Sequence, residues 1–317
     1  MTLAINDAHR HFGRNSIHGS LGRLTIPKLR CTYSGLVKDL DKYNIKKSIL
    51  FPQPDPYETG KDLLTTIAAL SLPYLLYNPC VETILSAQAL ALGAIFPRIY
   101  EDLSRKPLRP VNYKKANRKI YGLEDERIDF IPLANHNFKL SDLDSFEGFK
   151  GIKFYYGEPT EGLLEYMDEN NLNMILHPPP QKARTKGVFR KVDDDIWHLP
   201  SNFLKTVNRY DGIKFQVAHL ARGDEQIINA LGKCEHDNLY TDSSGLTFHT
   251  LKASRKNAAK IIPSNPEHVL FGSDWPWTDT GKEIAFINGL ELGEKERESI
   301  FYSNYFKLWG DREKAVP

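Results

Sequence analysis

The chain has 317 residues and a formal net charge of +2, with 41% hydrophobic and 26% charged residues. This balance is typical of an ordinary globular protein and excludes the disordered and fibrous classes. Lysine and arginine are scattered along the chain rather than concentrated in one arm, which argues against a nucleic-acid-binding protein. The length fits one large domain or two smaller ones, because α/β barrels often exceed 250 residues.

The cysteines and the apolar segments bear on the compartment. Cys31, Cys80 and Cys234 lie far apart with no C-x-x-C spacing, so neither a disulfide framework nor a cysteine zinc site is predicted. We therefore expect a reducing, cytoplasmic location. The most apolar region, 63–96, is interrupted by proline, asparagine and glutamate, and no basic segment followed by an apolar run opens the chain. The sequence predicts neither an export signal nor a membrane span.

Short β-rich segments recur along the whole chain, each separated from the next by enough residues for a helix. This alternation is typical of βαβ units around a parallel sheet. We predict an α/β fold in which eight strands and their helices form a (β/α)8 TIM barrel, one domain over 1–317. The predicted strands are 3–9, 46–52, 128–134, 151–156, 173–179, 213–220, 238–244 and 268–274, and the clearest helices are 160–171, 224–233 and 294–310.

The connection between the second and third predicted strands is too long for a simple crossover. It contains about 75 residues, where a helix and two loops need about 20–25. We therefore predict a helical insertion at about 53–111, with helices at 61–72 and 80–96. It would leave the barrel at the carboxyl end of the second strand, where barrel enzymes hold their active sites. The insertion could roof that site, or it could be a surface element that makes the protein a homo-oligomer.

His9 and His11 lie at the end of the first predicted strand. Alternate side chains of a strand share a face, so both imidazoles should point the same way and Arg10 away from them. Arg10 is then structural, pairing behind the strand, with contact to a substrate carboxylate as the alternative. Catalytic zinc sites need a third protein ligand and an open position. Taken alone, the two histidines are half of a metal site or a polar strand end.

Three later strands also end in a residue that can bind a metal ion or transfer a proton. The fifth predicted strand ends in His177, the sixth in His219 and the eighth in Asp274. The carboxyl ends of barrel strands meet at one mouth, so these side chains should join the first two histidines there. The combined pattern predicts a metal-dependent active site.

Four sequence motifs resemble the amidohydrolase superfamily: D-x-H-x-H at 7–11, NMILH at 173–177, A-H-L at 218–220 and LFGSDWP at 270–276. More narrowly, they resemble the amidohydrolase-related branch. That branch holds dicarboxylate lactonases and non-oxidative decarboxylases of the aminocarboxymuconate-semialdehyde type. The resemblance spans nearly the whole chain apart from the insertion.

The resemblance implies one divalent metal ion, zinc, with Mn²⁺ or Fe²⁺ as alternatives. Such an ion lowers the pKa of a bound water to about 7. Asp274 could accept the proton of that water. His219 could hold or protonate the oxygen on which negative charge develops. The implied metal ligands are His9, His11, His177 and Asp274.

Lys153 should face the barrel interior, because its apolar neighbours Ile152 and Phe154 suit the helix layer. In two-metal members of the superfamily such a lysine, carboxylated, bridges the ions. The G-I-K-F form here resembles the single-metal branch more closely. The alternative is a buried cation balanced by Asp7 or by a neighbouring carboxylate.

Other polar and aromatic residues follow the predicted strands and could line the mouth of the barrel. A basic cluster around Arg184 could attract an acidic substrate. A plain loop role stays open for each of them. The predicted substrate-binding residues are Lys153, Tyr155, His136, Arg184, His198 and Trp275.

These features predict a hydrolase that uses metal-activated water to cleave an ester, lactone or amide bond of a small organic molecule, such as a carboxylate. Two alternatives stay open. The same site could decarboxylate an aromatic or unsaturated carboxylic acid, or the metal could stabilise a non-catalytic binding barrel. A purely structural site would be closed by four ligands and would need no further titratable group, so His219 argues against the last.

Overall fold

The computed structural model describes residues 4–12, 32–52, 117–118, 120–134, 138–144, 146–154, 159–177, 200–247 and 252–310. The predicted insertion at 53–111 lies outside the described residues. So do four of the predicted substrate-binding residues, namely Tyr155, His136, Arg184 and His198.

Strands and helices alternate along the described residues. The strands are β1 (Ile5–Phe12), β2 (Ile45–Pro52), β3 (Ile128–Phe130), β4 (Leu133–Ala134), β5 (Gly151–Phe154), β6 (Asn173–Leu176), β7 (Phe215–Val217), β8 (Leu239–Asp242) and β9 (Val269–Leu270). The helices are α1 (Tyr33–Lys42), α2 (Glu161–Glu169), α3 (Pro200–Arg209), α4 (Glu225–Ala230), α5 (Lys252–Ser264), α6 (Thr280–Asn288), α7 (Glu294–Glu298) and α8 (Asn304–Trp309). A π-helical turn, Ser299–Ser303, joins α7 to α8.

The strands form two parallel sheets, β1-β2-β3 and β4 through β9 in chain order. The third predicted strand, 128–134, is divided between the two sheets as β3 and β4. Between these segments, the Ile131 N–H donates to the Leu50 carbonyl (3.0 Å), and the Pro132 carbonyl accepts from the Lys153 N–H (2.8 Å). The ring of strands is therefore continuous across the break, because Ile131 bonds to β2 and the next residue, Pro132, bonds to β5.

The other junction joins the first strand to the last. Residues 271–275, which follow β9, run beside β1: Ala8 N–H donates to the Phe271 carbonyl (2.9 Å) and His11 N–H to the Trp275 carbonyl (2.8 Å). These bonds join the first predicted strand to the last, so the described strands form a closed ring, as the predicted (β/α)8 barrel requires. The closure also places the end of β1 directly against Asp274, because Asp274 N–H donates to the His9 carbonyl at 2.9 Å.

Apolar side chains fill both the inside of the barrel and the layer between strands and helices. One interior cluster draws buried residues from around the ring, including Ala8, Ile49, Ile175 and Leu270. Trp309 of α8 belongs to the same cluster and lies at the amino end of β5. Trp309 therefore helps to fill the amino end of the barrel.

The predicted helices at 160–171 and 224–233 are present as α2 and as the shorter α4, and a side chain caps the start of each. The Thr160 side chain accepts from Leu163 N–H, and the Asp224 side chain from Gln226 and Ile227 N–H. Such caps satisfy the first amide groups of a helix. No helix within the described ranges is long and apolar enough to cross a membrane.

Candidate active site

His9, His11 and Asp274 form a compact group at the carboxyl end of the barrel. Each offers one ligand atom, and these three atoms lie within 4.8 Å of one another. Asp274 Oδ1 is 3.1 Å from His11 Nε2 and 3.5 Å from His9 Nε2. The structure thus brings together three of the four predicted metal ligands.

The chemistry of this group fits a divalent metal ion. His9 is fully buried, and its Nε2 makes no hydrogen bond within the described part of the chain. Burial, followed by the charge of Lys153, lowers the pKa of His9 and of His11, which keeps both rings neutral. Metal ligands must be neutral imidazoles, and a catalytic zinc ion takes three protein ligands and leaves one position open.

A β-bulge in β1 separates the two histidines from the charged residues beside them. Asp7 pairs with Ser48 of β2 and Arg10 with Leu50, so β1 contains one extra residue in this interval. Bulges re-aim side chains. The Asp7 carboxylate therefore meets Arg10 Nε at 2.6 Å, and Arg10 also reaches Asp39 of α1 at 2.8 Å. Arg10 has the structural role that the sequence favoured, because it ties the first strand to the first helix.

Lys153 of β5 is fully buried in the barrel interior. Its Nζ lies 4.8 Å from the centroid of the Phe51 ring, and the same ring contacts both histidines of β1 edge-on. Burial lowers the pKa of Lys153 to about 7, while the carboxylates of Asp242 and Asp274 oppose this shift. Those carboxylates, rather than Asp7, therefore balance the charge of Lys153.

His219 lies on a left-handed turn that the sequence did not predict. The sixth predicted strand, 213–220, ends early, because β7 stops at Val217 and the turn His219–Gly223 follows with φ between 49° and 77°. The left-handed conformation costs roughly 1–2 kcal/mol for each non-glycine residue. Contacts around the turn must therefore stabilise it. The turn places the His219 ring 5.0 Å from that of His9 and 5.0 Å from that of His177.

The hydrogen bonds of His219 decide which ring nitrogen carries the proton. Its Nδ1 is 3.0 Å from the Ser244 carbonyl oxygen, which can only accept. Nδ1 therefore carries the hydrogen, and Nε2 has the free lone pair. Burial lowers the pKa of His219 to about 4, although the Asp274 carboxylate opposes the shift. Near neutral pH, His219 Nε2 is thus a proton acceptor, and it can donate only after it has taken up a proton.

His177 lies at the mouth but outside the compact group of three. Its Nε2 accepts a hydrogen bond from the guanidinium of Arg222 at 3.0 Å, so the Nε2 lone pair is engaged. Coordination by His177 in this arrangement would use Nδ1, or would follow a movement of Arg222. Sequence reasoning missed Arg222, because no local pattern marks it. Only the left-handed turn returns this residue to the site.

Trp275, a predicted substrate contact, is buried beside the first strand. Its carbonyl accepts from His11 N–H, and its ring lies 5.8 Å from the Arg10 guanidinium carbon. The indole also belongs to the apolar cluster that contains Leu36 and Leu40 of α1. These contacts give Trp275 a packing role, whether or not it also meets a substrate.

Two glycines allow the strand ends to approach closely. A Cβ on Gly245, where φ is +74°, would lie 3.2 Å from His219 Nδ1 and 3.3 Å from Asp274 Oδ2. A Cβ on Gly272 would lie 2.9 Å from His9 Cβ. Only glycine fits both positions without displacing a site residue, and Gly245 also needs the conformational freedom of glycine.

Glu283 of α6 is a buried carboxyl group near the site. Its Oε1 accepts from Thr247 N–H at 2.9 Å and from Thr247 Oγ1 at 2.5 Å. Burial raises the pKa of Glu283 from its ordinary 4.5 to about 8. The folded protein therefore holds this proton up to about pH 8, whereas the unfolded chain loses it near pH 4.5. The stability contributed by the neutral carboxyl is lost as the pH rises through this window.

Glu283→Gln should remove that pH dependence. The amide keeps the shape and the acceptor oxygen but cannot ionise. We expect the unfolding free energy of the variant, relative to wild type, to rise by about 2–4 kcal/mol between pH 5 and pH 8, measured by urea denaturation. Glu291→Gln, at an exposed position, is the matched control and should show no such trend. A constant difference across the pH range would contradict the raised pKa.

Sequence comparison matches one family and no individual curated protein. A family profile described as amidohydrolase matches residues 145–310, slightly more than half of the chain. A comparison with curated protein sequences finds no significant match.

Several solved structures share the fold over nearly the whole chain. A probable 2-pyrone-4,6-dicarboxylic acid hydrolase from Acinetobacter baumannii, with citric acid bound, is 16% identical over 98% of this chain and 100% of its own, with a TM-score of 0.56. The 2,6-dihydroxybenzoate decarboxylase from Rhizobium is 14% identical over 96% and 98%, with a TM-score of 0.53. A dihydroxybenzoic acid decarboxylase from Polaromonas, with bound manganese and 2-nitroresorcinol, is 14% identical over 96% of each chain, with a TM-score of 0.50. These similarities establish a common fold.

Proposed function

The chain belongs to the amidohydrolase family, and on that premise we propose that it hydrolyses an ester, lactone or amide bond of a small organic molecule with one divalent metal ion. The observation that carries the proposal is the position of Asp274. Its Oδ1 lies 3.1 Å from His11 Nε2, so one carboxylate is placed both to bind an ion and to accept a proton beside it. Zinc is the proposed ion, because two imidazoles and a carboxylate suit it, and Mn²⁺ and Fe²⁺ are alternatives.

His9, His11 and Asp274 would hold the ion, with His177 as a fourth proposed ligand. When bound, a divalent ion supplies Lewis acidity, which activates a water molecule and polarises a substrate carbonyl. Burial raises the pKa of Asp274, against the lowering effect of His219, and makes this carboxylate a stronger base than an exposed aspartate. Asp274 would take the proton from the attacking water.

His219 would transfer a proton to the leaving group. Its neutral ring offers the Nε2 lone pair, since Nδ1–H is held by Ser244. After accepting a proton, Nε2 becomes a donor and can protonate the leaving oxygen or nitrogen. The Phe51 ring packs against the two histidines of β1, which limits the access of bulk water from the barrel interior.

We propose a small carboxylic acid derivative as the substrate. Arg222 places a guanidinium beside His177, and guanidinium groups bind carboxylates well. The citric acid in the Acinetobacter structure supports this substrate class. Five further residues are proposed to contact the substrate: Lys153, Tyr155, His136, Arg184 and His198.

Decarboxylation is the second candidate, favoured by the same raised pKa of Asp274. A protonated carboxyl group beside the ion could deliver its proton to the carbon from which carbon dioxide leaves. The similarity in fold to the Rhizobium and Polaromonas decarboxylases supports this candidate. The substrate would then be an aromatic or unsaturated carboxylic acid.

One experiment separates the candidates. The purified, metal-loaded protein is incubated in H₂¹⁸O with a panel of esters, lactones and amides and a panel of hydroxybenzoic and unsaturated acids. Hydrolysis predicts ¹⁸O in the acid product and a metal content of one ion per chain. Carbon dioxide release without ¹⁸O in the product would replace hydrolysis by decarboxylation. Stoichiometric metal without turnover on either panel would favour the non-catalytic binding barrel, and two ions with a carboxylated Lys153 would contradict the single-metal proposal.

A further inference from the structure

Asp242 is a fully buried carboxylate at the end of β8, in contact with His9 of the candidate metal site. It is the second residue that sequence reasoning missed. Its Oδ2 accepts from His9 Nδ1 at 2.9 Å and from Gln216 Nε2 at 2.6 Å. Its Oδ1 accepts from the backbone N–H of His219 and of Ser244, both at 3.0 Å, and from the Ser244 hydroxyl.

The bond to Oδ2 fixes the tautomer of His9. Both oxygens of Asp242 accept from groups that can only donate, namely Gln216 Nε2 at Oδ2 and the backbone N–H of His219 and of Ser244 at Oδ1. Asp242 is therefore an ionised acceptor, and His9 Nδ1 must carry the hydrogen. The lone pair of His9 is then on Nε2, the atom nearest Asp274.

The bonds to Oδ1 support the tautomer of His219, which the Ser244 carbonyl also favours. The Ser244 hydroxyl donates to Asp242, so its oxygen is left to accept from His219 Nδ1, which lies 2.9 Å away. The backbone bond from His219 N–H to Oδ1 also anchors the first residue of the left-handed turn. One carboxylate thus holds two imidazoles from distant strands, one directly and one through a serine.

We propose that Asp242 is a positioning residue that sets the Nδ1–H tautomer of His9 and, together with the Ser244 carbonyl, holds that of His219, so that both Nε2 lone pairs are available for the metal ion and for proton transfer. The metal part of this inference rests on the proposed function, whereas the tautomers can be measured without any metal or substrate. Carboxylates that orient a metal-binding histidine commonly change metal affinity 10–100-fold when they are removed.

An aspartate is needed here because five donors converge on its two oxygens. Asparagine has the same size, but one of its two terminal atoms is an amino group. In either orientation, that amino group would face N–H or O–H donors instead of accepting from them. Asp242→Asn is therefore a sharp test, because it preserves volume and removes only acceptor capacity and charge.

The first measurement uses the wild-type, metal-free protein. Long-range ¹H–¹⁵N NMR of the imidazole rings, assigned by single histidine substitutions, should show Nδ1–H and an unprotonated Nε2 for both His9 and His219 near neutral pH. An Nε2–H tautomer at either ring would overturn the proposal. This result does not depend on whether any variant folds.

The second measurement compares zinc affinity by competition with a chromophoric chelator. We expect Asp242→Asn to weaken binding 10–100-fold and to yield mixed tautomers at His9. Asp129→Asn is the matched control, since Asp129 accepts from Tyr305 at 2.8 Å and pairs with Lys150 at the opposite end of the barrel. Unchanged affinity in Asp242→Asn, or an equal loss in both variants, would refute the positioning role.

The two proposals fail in different ways. If wild-type protein binds zinc and Asp242→Asn changes nothing, the proposed function survives and the role of Asp242 does not. If wild-type protein binds no divalent ion, the proposed function fails, and the tautomers of the metal-free protein still decide whether Asp242 orders the two rings.

Discussion

Replacing Asp274 with asparagine is expected to lower kcat by about 10²–10⁴-fold, the usual contribution of a positioned proton acceptor. The amide keeps the size of the side chain but cannot take a proton from water. Asp274 has φ of 57°, and asparagine tolerates this left-handed backbone well, so the fold should be preserved. Because the amide oxygen remains, metal should still bind, although more weakly. Turnover and metal content per chain, measured on the same preparation, give the two readouts.

Asp279→Asn is the matched control for this change. Asp279 is the exposed N-cap of α6, five residues after Asp274, and asparagine caps helices as well as aspartate does. We expect wild-type turnover and metal content from this variant. If Asp274→Asn also kept its metal and processed the substrate at the original rate, the proton-transfer role of Asp274 would be wrong.

Replacing Arg10 with leucine should have the largest effect on stability, lowering the free energy of unfolding by about 3–5 kcal/mol. Arg10 is fully buried between Asp7 and Asp39. Without it, Asp7 would be an uncompensated buried charge. Burial already raises the pKa of Asp7 in the presence of the guanidinium, and removing Arg10 would raise it further. The loss should therefore be larger at pH 7 than at pH 4, where Asp7 can be protonated.

Urea denaturation of the metal-free protein at the two pH values tests this expectation. Arg209→Leu is the control, because the Arg209–Glu161 pair has the same short N–O distance of 2.6 Å but both side chains are 62% exposed. Exposed pairs contribute about 0–1 kcal/mol, so this variant should stay close to wild type. The double variant Arg10→Leu with Asp7→Asn should recover part of the loss, since the buried charge is gone. Equal effects at Arg10 and Arg209 would contradict the structural role of Arg10.

The sequence by itself determined the class of fold and most of the candidate site. Alternating strands and helices predict a parallel barrel, and that barrel is what the described strands form. The candidate site followed from the residues at the strand ends. The sequence predicted that His9, His11 and Asp274 lie together, because the strands of a parallel barrel place their carboxyl ends at one mouth. This reasoning works because it depends only on periodicity and chain direction, which are local properties of a sequence.

Only the tertiary structure decided how these residues are held. The bulge in β1 that joins Asp7 to Arg10 shifts the strand register by one residue. The turn that begins at His219 differs from a strand in its left-handed backbone conformation. No hydrophobic pattern in the sequence marks the bulge or the turn, because partners from other strands stabilise both. Arg222 and Asp242 were missed for the same reason.

The candidate ligands could therefore be predicted from the sequence, whereas their tautomers, their partners and the engagement of His177 by Arg222 could not. The end of a strand determines the position of a residue's backbone at the mouth of the barrel. The hydrogen bonds that orient it come from residues far away in the chain, and only the closed barrel brings those residues within reach.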